Sequence, residues 1–183
     1  MTNAQRVNRG PSAAAENRAA LIAAARAVFA TAGYDAPLSA VARRAGVGQG
    51  SLYRHFPNRM SLAVAVFEDN ITAMETLAAE PGSTLEDILA LLTDQAIAST
   101  AFIDMISPSA LEADLARIDA RMTRVLADKL DQARQAGVIR PDVGTDELRL
   151  AISMIASLLA KTPEPSRRPT ATRAWLLLRR ALT

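Results

Sequence analysis

Apolar residues recur at spacings of three and four along almost the whole 183-residue chain, and no stretch alternates apolar with polar over the length of a strand. The pattern predicts an all-α protein. Helices are expected over about 12–32, 38–45, 48–56, 59–79, 84–106, 109–136, 144–161 and 169–182, after a loose tail of about ten residues. Gly33 and Gly46 are helix stops, since glycine tolerates left-handed backbone. Asp35 is read as a cap for the second helix, with Pro37 at its start. Leu21, Ile22, Ala25, Val28 and Phe29 share one face of the first helix, and Leu62, Val66, Ile71 (or Phe67) and Met74 one face of the fourth. In 109–136, Leu115, Ile118, Met122, Val125 and Ala133 face in, opposite solvated Arg117, Arg121, Arg124, Asp128 and Asp131. No segment repeats at a fixed period, which argues against a solenoid.

The second and third helices are short and separated by Gly46-Val47, the geometry of a helix-turn-helix. Leu38, Val41, Ala42, Ala45 and Val47 hold the pair together. On the third helix Leu52 and Phe56 lie four apart and face the core. At 100° per residue Gly50, Ser51 and Arg54 then point away from it, with Tyr53 and His55 on the flanks. This outward surface suits a duplex: Gln49 and Ser51 can hydrogen-bond base edges, Gly50 lets backbone come close, and Tyr53, Arg54 and His55 can reach phosphates. Arg59 opens the next helix, where free N–H groups also favour an anion.

Charge sharpens this picture. Residues 1–59 carry eight arginines against Glu16 and Asp35, a net +6, whereas the remainder carries −4. A basic head on an acidic body suits a polyanion partner. Without cysteine there is no disulfide, thiolate site or cysteine nucleophile, and with one histidine a transition-metal site is not expected. No cofactor is expected either. A Ser51–His55 dyad would also need an orienting carboxylate and an oxyanion hole, and the sequence marks neither. The start of the chain lacks an apolar signal segment, and the run 150–160 is too short to span a bilayer. A cytoplasmic protein without membrane contact is expected.

Residues 17–67, centred on VARRAGVGQGSLYRHFPNRMSLAVAVF, resemble the N-terminal domain of TetR-family (tetracycline-repressor-type) regulators. The family pattern is an apolar-alanine pair, A-G-V, a variable base-reading trio, L-Y-x-H-F and a basic residue three further on. Here these are Val41-Ala42, Ala45-Gly46-Val47, Gln49-Gly50-Ser51, Leu52-Tyr53-Arg54-His55-Phe56 and Arg59. The resemblance implies that Gln49, Gly50 and Ser51 read bases and that Ser39 reaches a base or phosphate. It also implies that Tyr53, His55 and Arg59 hold the DNA backbone. Arg59 departs from a usual lysine, and Ala36-Pro37 from a common hydroxyl cap, which removes a phosphate contact often made there. The segment 136–143 is similar to a turn many members carry before their penultimate helix.

The implied organisation is a helix-turn-helix domain at 1–58, with its motif at about 37–56, and a ligand-binding and dimerisation domain at 59–183. Phe102, Met105, Met122 and Met154 are candidates to line an effector pocket, although adaptable methionine also fills ordinary cores. The segment 148–159 is apolar nearly all round and must be covered on both faces. The resemblance implies a two-fold homodimer with a four-helix interface, for which Leu148, Ile152, Ile155 and Leu159, with Trp175 and Leu178, are the expected residues; complete burial within one subunit is the alternative. The reading is a DNA-binding transcriptional regulator, a ligand-responsive repressor rather than an enzyme. Its expected partners are double-stranded operator DNA, a second copy of itself and a small-molecule effector of unidentified chemistry. Two alternatives stand beside it. One is a small all-α enzyme or ligand carrier with an incidental basic head. The other is a DNA-binding protein that has lost its ligand and acts through a protein partner.

Overall fold

The computed structural model describes residues 10–98 and 112–182. Among them are eight α-helices and no strand: α1 (Gly10–Ala32), α2 (Leu38–Ala45), α3 (Gln49–His55), α4 (Arg59–Ala79), α5 (Leu85–Ala98), α6 (Glu112–Gln135), α7 (Thr145–Ala160) and α8 (Arg167–Leu182). The punctuation residues act as their chemistry dictates. Gly33 and Gly46 take φ values of 79° and 67°, which a Cβ would disfavour. Gly46 closes α2 with Val47 N–H donating to Ala42 O at 3.0 Å.

Three expectations are corrected in detail. Asp35 does not cap α2; Pro37 occupies the cap position, in extended conformation and without a side-chain hydrogen bond. The last helix begins at Arg167, after a 3-10 turn at Glu164–Ser166. Pro169 thus sits in its first turn, where a missing N–H costs no hydrogen bond. Arg117 and Arg121 are not merely solvated. Arg117 pairs with Glu68 at 2.6 Å, and Arg121 grips Glu75 with two hydrogen bonds of 2.6 and 2.9 Å, riveting α6 to α4. The expected break at Ser107-Pro108 and the end of the 84–106 helix lie outside the described residues.

Two large cores and a smaller cluster of Ile155, Leu159 and Ala171 hold the described residues together. The upper core joins α1, α2 and α3 through Leu21, Ala25, Phe29, Val41, Leu52 and Phe56, and it also takes Leu62, Ala63, Ala65 and Val66 from the first turns of α4. The lower one joins α4, α5, α6 and α7 through Ile71, Met74, Ile88, Leu126, Leu130 and Leu148. The helix α4 is therefore a shared wall, and its upper turns belong with the head. At the joint, Arg26 of α1 donates to Asp69 (2.5 Å) and Asn70 (2.9 Å) of α4, while Gln95 of α5 donates to the Asn70 carbonyl at 3.0 Å.

Candidate nucleic-acid interface and body cavity

α3 is held from behind. Leu52 and Phe56 are buried, and Ala42 of α2 is small enough to lie buried in the same core. Arg18 of α1 stacks its guanidinium over the Phe56 ring at 5.5 Å. What remains outward is the face the helical geometry predicted. Gln49, Gly50 and Arg54 are exposed, Ser51 is half-buried, and Tyr53 is 53 % exposed. Ser39 on α2 is exposed, and His55 is half-buried with its ring tilted against Phe56. Arg54 folds back along the helix, its Nε donating to Gly50 O at 3.3 Å.

Gly50 is informative because the fold does not require it. Its φ is not positive, and a Cβ built there would meet nothing within 4 Å. The backbone on that side is open, which leaves room for close approach.

Arg59 is also engaged within the fold. Its Nη1 donates to the carbonyls of Tyr34 and Ala36, the latter at 2.5 Å, and its guanidinium lies 5.3 Å from the Tyr34 ring and 5.9 Å from Phe29. It braces the α1–α2 loop, a structural role that the sequence did not mark and that stands beside the DNA-backbone contact expected of it. The Tyr34 hydroxyl beside it has its pKa raised, chiefly by burial and against the pull of Arg59. The start of α4 is not a free anion site either. Asn58 accepts from Ser61 N–H at 2.8 Å while the Ser61 hydroxyl faces back to Asn58, a reciprocal cap.

In the body, a cavity of about 370 Å³ lies between α4, α5, α6 and α7, with Phe67, Ile71, Leu92, Leu115, Ile118 and Met122 on its walls. Asn70 and Gln95, the polar pair of the joint, also line it. Met122 is thus the one expected pocket residue the structure brings to this cavity. Met154 is 55 % exposed on the outer side of α7, and Phe102 and Met105 lie outside the described residues. The remaining lining residues escaped sequence reading because their apolar spacing is that of any core helix.

Of the expected dimer residues, three lie inside the subunit and Ile152, Trp175 and Leu178 are half-buried. Leu148, Ile155 and Leu159 are buried within their own subunit, where Ile155 and Leu159 pack against Ala171, Trp175 and Leu178 of α8. Ile152 is half-buried beside the cavity, and Trp175 donates its indole N–H to Thr93 at 2.8 Å. The uncovered apolar face is the opposite one: Leu150, Met154 and Leu158 on α7, with Leu176 and Leu177 on α8. Among the described residues no cluster of metal-ligating side chains occurs, and no helix is long and apolar enough to cross a membrane.

A basic helix-turn-helix head on a helical body that contains an apolar cavity defines a DNA-binding regulator. The comparisons with known proteins agree. The family described as bacterial regulatory proteins, tetR family, matches residues 21–66, and the C-terminal domain described as transcriptional regulator SbtR-like matches residues 80–180. The chain belongs to the tetR family of bacterial regulatory proteins and is a transcriptional regulator. A TetR regulator of Streptomyces coelicolor is 31 % identical over 90 % of this chain and 97 % of its own, with a TM-score of 0.68. One from Mycobacterium vanbaalenii is also 31 % identical, over 81 % and 95 %, with a TM-score of 0.66. An ArpA-like gamma-butyrolactone receptor shares the fold at 22 % identity over 93 % and 90 %, with a TM-score of 0.56. No curated protein of assigned function matches the chain.

Proposed function

We propose that the protein is a homodimeric, effector-responsive repressor that acts in the cytoplasm and catalyses no reaction. Each subunit inserts α3 into a major groove of operator DNA, at half-sites about one helical turn, roughly 34–36 Å, apart. Gln49 and Ser51 read base edges, Gly50 admits close approach, and Ser39, Tyr53, Arg54 and His55 hold the backbone. The uncovered stripe of Leu150, Met154 and Leu158, with Leu177 beside it, supports pairing of two copies, since apolar surface of this kind is stabilised by burial.

The observation that carries effector response is the joint at Asn70. Asn70 lines the body cavity and also receives Arg26 from the head's first helix. A molecule filling the Phe67–Met122 cavity presses on the α4 residues that set the angle of α1. Effector and DNA then weaken each other by the same coupling free energy. The fold is shared with a gamma-butyrolactone receptor, which supports a small apolar effector class.

The test is selection of bound fragments from genomic DNA at low salt, followed by titration of the best fragment against salt. Binding by two heads predicts a palindromic site and a steep slope, about −0.9 in log–log terms per neutralised phosphate. Absence of any bound fragment at low salt overturns the reading.

A further inference from the structure

A second cavity, of about 450 Å³, lies at the end of the body away from the head, between the start of α5, the end of α6 and α8. Its walls are largely apolar, with Leu89, Ile139, Leu148 and Leu182 among them, and Trp175 forms part of one side. Ser83, Thr84, Glu86, Lys129, Gln132 and Arg179 interrupt them, and two of these have hydrogen-bonding capacity left over. Lys129 is only 6 % exposed, and its ammonium has a single hydrogen bond, donated to Ser83 O at 2.7 Å. The Ser83 hydroxyl oxygen, on the same wall, is buried without a hydrogen-bond partner.

A buried ammonium is costly unless an anion or several acceptors face it. The pKa of Asp87 is lowered chiefly by its hydrogen bonds from Thr84 and in part by the field of Lys129, but among the described residues no acid hydrogen-bonds to the ammonium. Asp87 is committed to Thr84, at 2.7 Å from its hydroxyl and 2.9 Å from its N–H, and Glu86 pairs with Arg179 on the cavity lining. Lys129 therefore keeps two N–H donors, and Ser83 one O–H, for something in an apolar chamber. One cation and one hydroxyl match a single-charge headgroup with two acceptor oxygens. A phosphate monoester, carrying close to two charges, would want a second cation, and the Arg179 guanidinium on the same lining is already paired with Glu86.

We propose that this distal cavity is a second small-molecule site, separate from the one lined by Phe67 and Met122, and that it takes an amphipathic monocarboxylate. The carboxylate meets Lys129 and Ser83, and the hydrocarbon part lies against Ile139, Leu148, Leu182 and the Trp175 ring. The proposal does not depend on DNA binding or on the effector reading above.

Trp175 is the only tryptophan and lines this chamber, so its emission responds to a ligand here. The Lys129 variant separates this site from the neighbouring cavity that Trp175 also touches. The probe is octanoate, with 1-octanol as a neutral analogue of equal chain length. Octanoate should change Trp175 emission saturably and bind once per chain by calorimetry. Lys129→Met keeps an apolar stem and removes the charge; it should weaken octanoate by about 10- to 100-fold and leave 1-octanol nearly unchanged. Ala136→Phe, on the cavity rim, should block both probes without lowering the melting temperature, and it serves if Lys129→Met fails to fold. Octanoate that binds without altering Trp175 emission, or with equal affinity in either variant, resides elsewhere and overturns the proposal. Failure of octanoate to bind the wild-type chain at all overturns it too.

Discussion

Arg26 reaches from the head's first helix to Asn70, its Nη2 2.9 Å from the amide oxygen of a side chain that is itself buried. The same Nη2 meets Asp69 at 2.5 Å, while the Arg26 Nε is buried without a partner. The arginine is thus anchored through one nitrogen, and Asn70 supplies the sheltered half of that anchorage. Asn70→Ala should cost about 0.5–1.5 kcal/mol of stability, the range for one hydrogen bond, because Arg26 is partly exposed and keeps Asp69. Asn70→Asp, which preserves an acceptor, should recover most of it. Urea denaturation measures both, and equal losses in the two variants would remove Arg26–Asn70 as the cause.

Readers, anchors and struts should separate by measurement. Gln49→Ala should change the preferred DNA sequence and cost roughly 1–3 kcal/mol on the best site. Arg54→Ala should weaken all sequences alike and lower the salt slope by about one. Arg59→Ala should have a structural effect besides. It strips two carbonyls of their donor, so it should lower folding stability by about 1–3 kcal/mol. A salt slope reduced at the same time would bear out its contact with the DNA backbone, and unchanged stability would remove the brace.

Gly50 offers a substitution with opposite effects on folding and binding. Gly50→Ala meets no neighbour and improves helix propensity, so the protein should gain about 0.5–1 kcal/mol of stability. Its DNA affinity should nonetheless fall. A variant that binds as tightly as wild type would show that nothing approaches this backbone closely.

Much of this was legible in the chain beforehand, and the failures share a physical cause. The bounds of α2 and α4 follow from local chemistry, because Gly46 forces a left-handed stop and Pro57 ends the preceding helix. The outward face of α3 follows from Leu52 and Phe56 alone. The bracing role of Arg59 was not legible because its acceptors are the backbone carbonyls of Tyr34 and Ala36, which no side-chain pattern marks. The covered face of α7 could not be read because a helix apolar on every side has no contrast for periodicity to detect. Lys129 was missed because a lysine in a helix is ordinarily solvated, and only tertiary packing buries it.

The two faces of α7 should respond differently to charge. Leu158→Arg or Met154→Arg places the cation on the uncovered side and should give a folded monomer with weakened binding to a palindromic fragment. The loss is that of tethering two heads, commonly 10²- to 10⁴-fold. Ile155→Arg instead buries an unpaired charge inside the subunit and should unfold it. Light scattering and circular dichroism distinguish the cases. A Leu158→Arg protein that remains a dimer at full affinity would place the interface on another surface.

Acid should loosen the α4–α6 contact. The Glu75 carboxyl lies below its ordinary pKa of 4.5, mainly because Arg121 hydrogen-bonds to it, with burial opposing. A folded-state pKa below the unfolded one means the contribution is complete above about pH 4.5 and disappears as pH falls through the depressed value. The contribution is modest, since the pair is partly solvated. Glu75→Gln should flatten that part of the acid limb in thermal melts taken from pH 6 to pH 3. An unchanged limb would assign the acid sensitivity to other carboxylates.

The shared helix α4 limits how this regulator can be rebuilt. Leu62, Ala63, Ala65 and Val66 complete the upper core, whereas Val64, Ile71 and Met74 on the same helix belong to the lower one. A chimera cut at the loop before Arg59 would give the transplanted head a foreign fourth wall, and a fragment ending there would have none. New DNA specificity is therefore better grafted by exchanging the exposed residues of α3, or by moving the join past Phe67 so that the head carries its own half of the helix with it.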